Sequence, residues 1–260
     1  MDELGALGSY LDVAQVTLYV FWVFFFGLLF YLQRETRREG YPLESDASGA
    51  VTDHGVIFMP EQKVFKLRHG HGEYKAPDYK RETRELKLKP LDVWSGAPKE
   101  PTGNPMKDGV GPASYAERAD SPDLTHDGRV KIKPMRALEG YTVASRDPQP
   151  IGCPVVGCDK KVGAHVTDIW IDQSENVVRY YEVSIAGQKD AKTVLLPANF
   201  VKFGERPTHL YVHAITSRQF VDVPHTKKPE EITFLEEDII CGYYGGGQLY
   251  ATPDRVEPLL

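Results

Sequence analysis

Charged side chains are absent from one long stretch near the start of the sequence. Residues 13–32, VAQVTLYVFWVFFFGLLFYL, are twenty residues in which Gln15 and Thr17 are the only strongly polar side chains. A helix rises about 1.5 Å per residue, so this stretch covers about 30 Å, the thickness of a bilayer's hydrocarbon core. A helix also satisfies its backbone hydrogen bonds within the segment, as lipid requires. The sequence therefore predicts one transmembrane helix over residues 13–33.

A cleaved signal peptide and a buried core helix are the alternatives for this apolar stretch. Signal peptides begin with basic residues, have a shorter apolar region and end at a small-residue cleavage site. Here the preceding residues include Asp2, Glu3 and Asp12, and Arg34 follows the apolar stretch at once. These features favour a membrane span.

Basic residues are also absent before the span, because all 31 Lys and Arg residues follow it. Positively charged flanks stay in the cytoplasm, so we expect residues 1–12 outside and everything after Arg34 inside. Basic and aromatic side chains at the inner end of the span are expected to contact lipid headgroups. These are Tyr31, Arg34, Arg37, Arg38 and Tyr41.

Cysteine is scarce, and the three cysteines give no pattern for a disulfide or a metal site. An odd number of thiols in a reducing compartment argues against structural disulfides. Cys153 and Cys158 have C-x4-C spacing with no second ligand pair beside them, and the histidines of H-G-H, His69 and His71, lack a third ligand. We therefore expect no bound metal.

Excess charge of one sign and catalytic motifs are both missing. Three of the 37 acidic residues precede the span, and the remaining 34 nearly balance the 31 basic ones, so nucleic acid is not an expected partner. G-x-S-x-G, H-E-x-x-H and P-loop motifs do not occur. We therefore expect a chain that is not an enzyme. The ionisable residues that invite a role are Asp172 and Glu175 in a turn, with Arg179 four residues on; a solvated hairpin turn is the alternative.

The remaining sequence predicts a mainly β domain. From residue 131, short β-rich runs are separated by turn residues, which is typical of a small barrel or sandwich. The runs cover residues 131–135, 141–145, 153–157, 164–172, 176–185, 192–197, 200–203 and 209–215. Imperfect alternation predicts a β-bulge near Asp168. A short C-terminal helix is expected over residues 233–244, with Thr233 as its cap and Gly245, Gly246 and Gly247 ending it.

Residues 34–130 are expected to form a membrane-proximal region of extended chain and short strands. The helix should continue past the span until Gly40 and Pro42 stop it. Alternating apolar and polar residues predict strands at residues 63–67, 72–75 and 84–88. Residues 89–123 are rich in Pro and Gly but contain scattered aromatic and apolar residues. We expect this segment to be ordered coil laid along a partner.

Several long motifs resemble one known family. RREGYPLE follows the span, and PTGNPMKDGVGPASYAER, KIKPM, DIWID-x-x-E-x-x-x-RYYEV, EEDIICGYYGGGQLYATP and EPLL follow in order. Together they resemble the H subunit of purple-bacterial photosynthetic reaction centres. The resemblance implies a periplasmic N-terminus, a single pass through the bacterial inner (chromatophore) membrane, and a cytoplasmic domain, residues 131–260, with a PRC-type β-barrel at about residues 151–223.

The resemblance also implies partners and cofactors. Subunits of this family cap the cytoplasmic face of the L and M subunits, which hold bacteriochlorophylls, bacteriopheophytins, quinones and a non-haem iron. They shield the quinone end from water and help conduct protons to the secondary quinone. No cofactor is expected on this chain alone. The light-harvesting 1 antenna ring and membrane lipids are further expected partners.

The resemblance assigns roles to particular residues. Glu175 matches the family's carboxylate on the inner proton route, with Asp172 and Arg179 beside it. Some members have an H-x-H pair before KIKPM, and the matching positions here are Asp127 and Arg129. His126 stands next to them, so His126 and Asp127 are the expected uptake point, although the Arg129 cation would repel an incoming proton. The alternative function is a membrane-tethered adaptor that uses a PRC barrel to dock a soluble partner.

Overall fold

The computed structural model describes residues 6–8, 11–45, 48, 50–51, 58–80, 83–187, 192–204 and 208–256. The chain divides into two compact units. The first comprises Met1–Arg84 with Asp92–Ala97, and the second comprises Glu85–Leu91 with Pro98–Leu260. Most of the expected N-terminal segment, residues 52–57 and the C-terminal EPLL motif lie outside the described residues.

The first unit contains the expected span as one continuous helix. Helix α1 (Val13–Glu35) begins where the Asp12 carboxylate accepts a hydrogen bond from the backbone N–H of Gln15 at 2.7 Å. It is long and apolar enough to cross a bilayer, and none of its residues is buried by the rest of the chain. Beyond it the chain makes one 3-10 turn, Thr36–Arg38, and bends at Gly40, which has φ +71°. The predicted helix is confirmed, and its helical turns continue to Arg38, just before Gly40 and Pro42, where the sequence predicts its end.

Two small antiparallel sheets complete the described part of the first unit. Strands β1 (Ala6–Gly8) and β2 (Leu11–Asp12) form one, and β3 (Lys63–Lys66) and β4 (Glu73–Ala76) form the other. The β3–β4 hairpin confirms the strands predicted at residues 63–67 and 72–75. All of β3 and most of β4 are exposed, including Val64, Phe65 and Tyr74.

The second unit is mainly β. A two-stranded hairpin consists of β5 (Leu88–Pro90) and β6 (Lys99–Pro101). The larger sheet consists of β7 (Ile132–Pro134), β8 (Pro154–Val156), β9 (Val162–Asp172), β10 (Val177–Ile185), β11 (Thr193–Pro197), β12 (Val201–Phe203) and β13 (Leu210–Val212). The seven-stranded sheet has the order β11-β10-β9-β8-β13-β12, with β7 also paired to β9. β8 and β13 are parallel, and every other pairing in this sheet is antiparallel.

The long central strand β9 organises this sheet, because β10 pairs along its length while β7 and β8 share its other edge. Two irregularities interrupt its register with β10. Thr167 is an extra residue beside Asp168, which confirms the predicted bulge, and Arg179 is an extra residue in β10. A bulge bends the strand and redirects the side chains next to it.

The C-terminal helix α3 (Phe234–Tyr250) is longer than predicted. Thr233 and Glu236 form the expected capping box, but Gly245, Gly246 and Gly247 lie inside the helix instead of ending it. These glycines permit close packing: a Cβ on Gly246 would lie 2.5 Å from the Ala113 Cβ. The helix therefore needs glycine because the polypeptide around Ala113 approaches its backbone.

Two predicted strands were wrong. Residues 84–88 are extended only at their end, where β5 begins, and residues 141–145 form no strand. In the second case Tyr141 donates a hydrogen bond to Asn176 at 3.0 Å, and Val143 lines a cavity of about 470 Å³ with residues of the sheet. The apolar alternation reflects irregular chain packed against the sheet rather than ladder pairing.

The Pro- and Gly-rich segment is partly structured by its own chain. Helix α2 (Pro105–Asp108) is capped by Asn104, and Met106, Val110 and Ala113 are buried, the last against α3. The expectation that residues 89–123 lie along a partner is therefore wrong for residues 105–113, whose apolar side chains face the chain's own interior.

Candidate functional site

Asp172 ends β9 and organises the turn that leads into β10. One carboxylate oxygen, Oδ1, accepts hydrogen bonds from the backbone N–H groups of Ser174 at 2.9 Å and Glu175 at 3.2 Å. Such a turn fits the preference of Asp for bonding the backbone two residues on. The side chain of Asp172 is 1% exposed. Asp172 is therefore a buried acid, whereas Ser174, Glu175 and Asn176 in the turn are exposed, as the alternative of a solvated hairpin turn predicts.

Lys131 provides the charge that balances this buried acid. Its Nζ lies 3.3 Å from Asp172 Oδ2, 3.4 Å from Asp123 Oδ2 and 4.0 Å from Glu175 Oε1. Although the ammonium is within ion-pair distance, Asp172 Oδ2 accepts no hydrogen bond from the described residues. Burial alone would lower the Lys131 pKa, but Asp172 and then Asp123 outweigh it and the pKa is raised. The site is a lysine shared by three carboxylates.

Local pairing explains why these groups meet. β7 pairs Ile132 with Asp172, so the residue before β7, Lys131, lies beside the end of β9. The backbone of Gln173 bonds Lys131 O at 2.9 Å, and Lys131 N bonds Asp123 O at 2.8 Å. Sequence reasoning missed Lys131 and Asp123, although the KIKPM motif contained the lysine. Lys131 is about 40 positions from Asp172 and 8 positions from Asp123, so their proximity follows from strand pairing and is not visible in the sequence.

Glu175 occupies the solvent side of this cluster. Its side chain is 62% exposed, and its one ion-pair partner among the described residues is Lys131 at 4.0 Å. An exposed carboxylate next to a buried one gives the cluster an outer and an inner acid, with the lysine between them.

Arg179 contacts a different acid from the one expected. Its Nη2 lies 3.5 Å from Glu237 Oε2 on α3, and the same oxygen accepts a hydrogen bond from Tyr180 Oη at 2.7 Å. Burial lowers the Arg179 pKa, but the charge of Glu237 and smaller contributions raise it overall. Burial, followed by Glu237, raises the pKa of Tyr180. Arg179 was predicted to lie beside Asp172 and Glu175, but it forms its ion pair with Glu237 on α3. The sequence analysis did not identify Glu237.

The turn that carries His126 and Asp127 lies at the solvent-exposed end of the segment leading to Lys131. Thr125 N bonds Arg129 O at 2.8 Å, and Leu124 forms a bridge with Val130. His126 is 91% exposed, and its Nδ1 lies 3.6 Å from Asp127 Oδ1. Arg129 Nη2 lies 3.6 Å from Asp127 Oδ2, so the Arg129 cation contacts the acid. Asp123 and Lys131, which belong to the cluster at Asp172, flank this turn in the sequence.

The expected lipid-contacting residues differ in their surroundings. Tyr31 and Arg34 are exposed, and the Arg37 guanidinium lies 5.5 Å from the centre of the Tyr41 ring. Arg38 instead bonds Glu35 at 2.8 Å and the backbone oxygens of Glu61 and Ala76. Its side chain is therefore used within the first unit rather than directed to lipid.

Within the described ranges, no three His, Cys, Asp or Glu side chains are grouped so that they could hold a metal ion. The three cysteines are free thiols and half-buried. The second unit does contain two charged groups: the Lys131 cluster, with Asp123, Asp172 and Glu175, and the Glu237 group, with Arg179 and Tyr180.

Comparison with protein families decides what kind of chain carries these clusters. The family described as photosynthetic reaction centre, H-chain N-terminal region, matches residues 5–137, slightly more than half of the chain. The chain belongs to the reaction-centre H-chain family. A second family, the PRC-barrel domain, matches residues 143–214.

The charged residues of the site are distributed over both matched regions of this H chain. Asp123, His126, Asp127 and Lys131 lie in the region that defines the family, whereas Asp172, Glu175 and Arg179 lie in the PRC barrel. Glu237 lies beyond both. As a reaction-centre H chain with an N-terminal apolar helix, the protein is a membrane-anchored structural subunit that associates with reaction-centre core subunits.

Proposed function

We propose that this H chain caps the cytoplasmic face of the L and M core, shields the quinone sites from water, and assists proton delivery to the secondary quinone. The cofactors of the complex would lie on L and M and none on this chain. The observation that carries the proposal is the Lys131 cluster, in which a buried acid, Asp172, and an exposed acid, Glu175, share one lysine.

The cluster has the chemistry that a proton relay needs. A doubly reduced quinone takes up two protons, and an isolated charge in its low-dielectric pocket is costly. Protons must therefore travel through ionisable groups and ordered water. Glu175 can exchange protons with solvent, and Asp172 Oδ2 retains acceptor capacity within the fold. The Lys131 ammonium stabilises the carboxylate forms that receive the proton.

Proton uptake is proposed to begin at the exposed turn. His126 and Asp127 are open to solvent, and their segment leads through Asp123 to Lys131. Because Arg129 lies against Asp127, its positive charge is partly balanced where a proton would arrive. This arrangement weakens the sequence-based objection that Arg129 would repel the proton.

The capping role draws support from apolar side chains that the chain itself leaves uncovered. The β3–β4 hairpin exposes Val64, Phe65, Leu67 and Tyr74. A two-stranded hairpin is marginally stable alone, so a surface of this kind is stabilised by a partner. We assign the L and M subunits as that partner. Contact with a light-harvesting 1 ring and lipid contact by Tyr31 and Arg34 are further parts of the proposal.

An absorption spectrum of the complex purified through this chain from native membranes tests the capping role. Bacteriochlorophyll and bacteriopheophytin bands at a fixed ratio to the chain are the expected result. A colourless complex with a soluble protein would instead support the alternative, a membrane-tethered PRC-barrel adaptor. The N-terminus is proposed to be periplasmic and the barrel cytoplasmic, in the bacterial inner or intracytoplasmic membrane.

A further inference from the structure

Two large apolar side chains point into solvent from a tight loop, Asp92–Ala97, which lies between β5 and β6 in sequence. Val93 is fully exposed at 101%, and Trp94 is 55% exposed. Neither residue is accounted for by the acid clusters or by the β3–β4 hairpin. Most exposed apolar residues need no explanation when scattered singly, but adjacent Val and Trp at the apex of a loop form one small protrusion.

The backbone holds this protrusion in place. Trp94 O accepts a hydrogen bond from Ala97 N at 3.2 Å, and Gly96 has φ +81°. A glycine with positive φ at the third position is the requirement of a type II turn. The turn closes on Ala97, which is buried at 6% exposure, and the backbone N–H of Val93 bonds the Asp92 carboxylate at 2.7 Å. Val93 and Trp94 are thus presented by an ordered turn.

The loop belongs to the part of the molecule that is anchored in the membrane. Asp92–Ala97 is in the same compact unit as α1, so a bilayer is at high effective concentration around it. Trp is enriched at membrane interfaces because its ring is apolar and its N–H remains hydrated. The lysines next to the loop are paired within the chain, Lys87 with Asp108 and Lys89 with Glu100, so the apolar ring rather than charge suits the loop to a bilayer.

A protein partner is the less favoured occupant. A stable protein interface buries about 800 Å² on each partner, whereas this apex offers two side chains flanked by Asp92, Ser95 and Gly96. Insertion among lipid headgroups needs no matching surface. We propose that Val93 and Trp94 form a second membrane contact, inserting into the headgroup region of the bilayer beside the helical anchor.

Photo-crosslinking in native membranes tests this contact in the assembled protein. Trp94 is replaced by the photoreactive amino acid benzoylphenylalanine in the full chain, and the matched control carries the same replacement at Val162, an exposed apolar residue of β9. After illumination the chain is purified and its peptides are analysed by mass spectrometry. Both sites tolerate a bulky side chain because they face solvent.

The expected result is a phospholipid adduct on the peptide that contains position 94 and none at position 162. A cross-link from position 94 to another polypeptide would overturn the lipid assignment, and so would a level of adduct equal to that of the control. The outcome is separable from the proposed function, because pigment in the purified complex reports the capping role whether or not the loop contacts lipid.

Discussion

Lys131 is the residue that holds the Lys131 cluster together. It offsets the charge of Asp172, whose side chain is almost fully buried, and it also contacts Asp123 and Glu175. Removing one partner from a buried ion pair leaves an uncompensated charge, which costs more than the pair itself contributes. The lysine therefore has a structural role in addition to any role in proton delivery.

We expect Lys131→Met to lower the free energy of unfolding by about 2–3 kcal/mol, somewhat below the loss for a fully buried pair because Lys131 is partly exposed. Urea unfolding of the full chain in detergent measures the change. Lys228→Met is the matched control: its partner Glu231 lies at 2.7 Å but the lysine is mostly exposed, so we expect at most about 0.5 kcal/mol. Equal losses in the two variants would contradict the assignment.

The pH dependence of this difference has a defined sign. The Lys131 pKa is raised in the folded protein, so its contribution is fully present below the ordinary lysine value of 10.5 and is lost as pH rises through the raised value. The stability gap between wild type and Lys131→Met should therefore be constant between about pH 7 and about pH 9 and shrink only in stronger alkali. A gap that shrinks near neutrality would show that another group provides the stabilisation.

Helix α3 shows how packing decides the extent of an element. Gly245 and Gly246 of this helix face residues 112–113, and Gly242 is also close, since its Cβ would lie 2.8 Å from Ala113 O. Glycine normally disfavours a helix interior by about 1 kcal/mol relative to alanine. Here that disadvantage is offset because the absence of a side chain allows the turn at Ala113 to pack directly on the helix.

Gly246→Ala is predicted to destabilise the protein by about 1–3 kcal/mol, despite the better helix propensity of alanine, because the new methyl group would overlap Ala113. Thermal unfolding of the full chain in detergent gives the comparison. In the matched variant Gly245→Ala, the new Cβ would lie 3.1 Å from Pro112 O, a contact that a small shift relieves. This variant should therefore lose less stability. The packing explanation fails if Gly246→Ala stabilises the helix.

At the scale of elements, local patterns predicted what depends on neighbouring residues. The apolar run predicted α1, and the β-rich runs predicted all seven strands of the main sheet, β7–β13. Thr233 with Glu236 predicted the start of α3. The end of α3 was mispredicted because glycine often ends a helix. Gly245 instead packs against Pro112, a residue more than 100 positions away, and this contact is not visible in the local sequence.

The candidate site was predictable only in part, for the same reason. The D-x-x-E pattern and the family resemblance indicated Asp172 and Glu175, which the structure places in one cluster. Lys131 and Glu237 were missed because each contacts its partners through strand pairing or helix packing. Arg179 was associated with the wrong acid, since the bulge in β10 that determines its position is not visible in the alternation of the sequence.

At the scale of the whole molecule, one apolar helix, Val13–Glu35, separates residues 1–12 from residues 36–260. Because Lys and Arg flank only its C-terminal end, we expect everything after Arg34 on the cytoplasmic side. Protease added to sealed inside-out vesicles should digest residues 63–260, and in right-side-out vesicles these residues should be protected. Protection in the inside-out vesicles would reverse the proposed orientation.

The most direct measurement for proton delivery is the flash-induced kinetics of the first and second quinone reductions in purified complexes. Glu175→Gln preserves size and polarity but cannot exchange a proton, so we expect the second electron transfer to slow roughly tenfold, with charge separation unchanged. Glu230→Gln, at another exposed glutamate, is the matched control and should leave both steps as in wild type. Unchanged second-turnover kinetics in Glu175→Gln between about pH 6 and about pH 9 would contradict a role for this cluster in delivering protons.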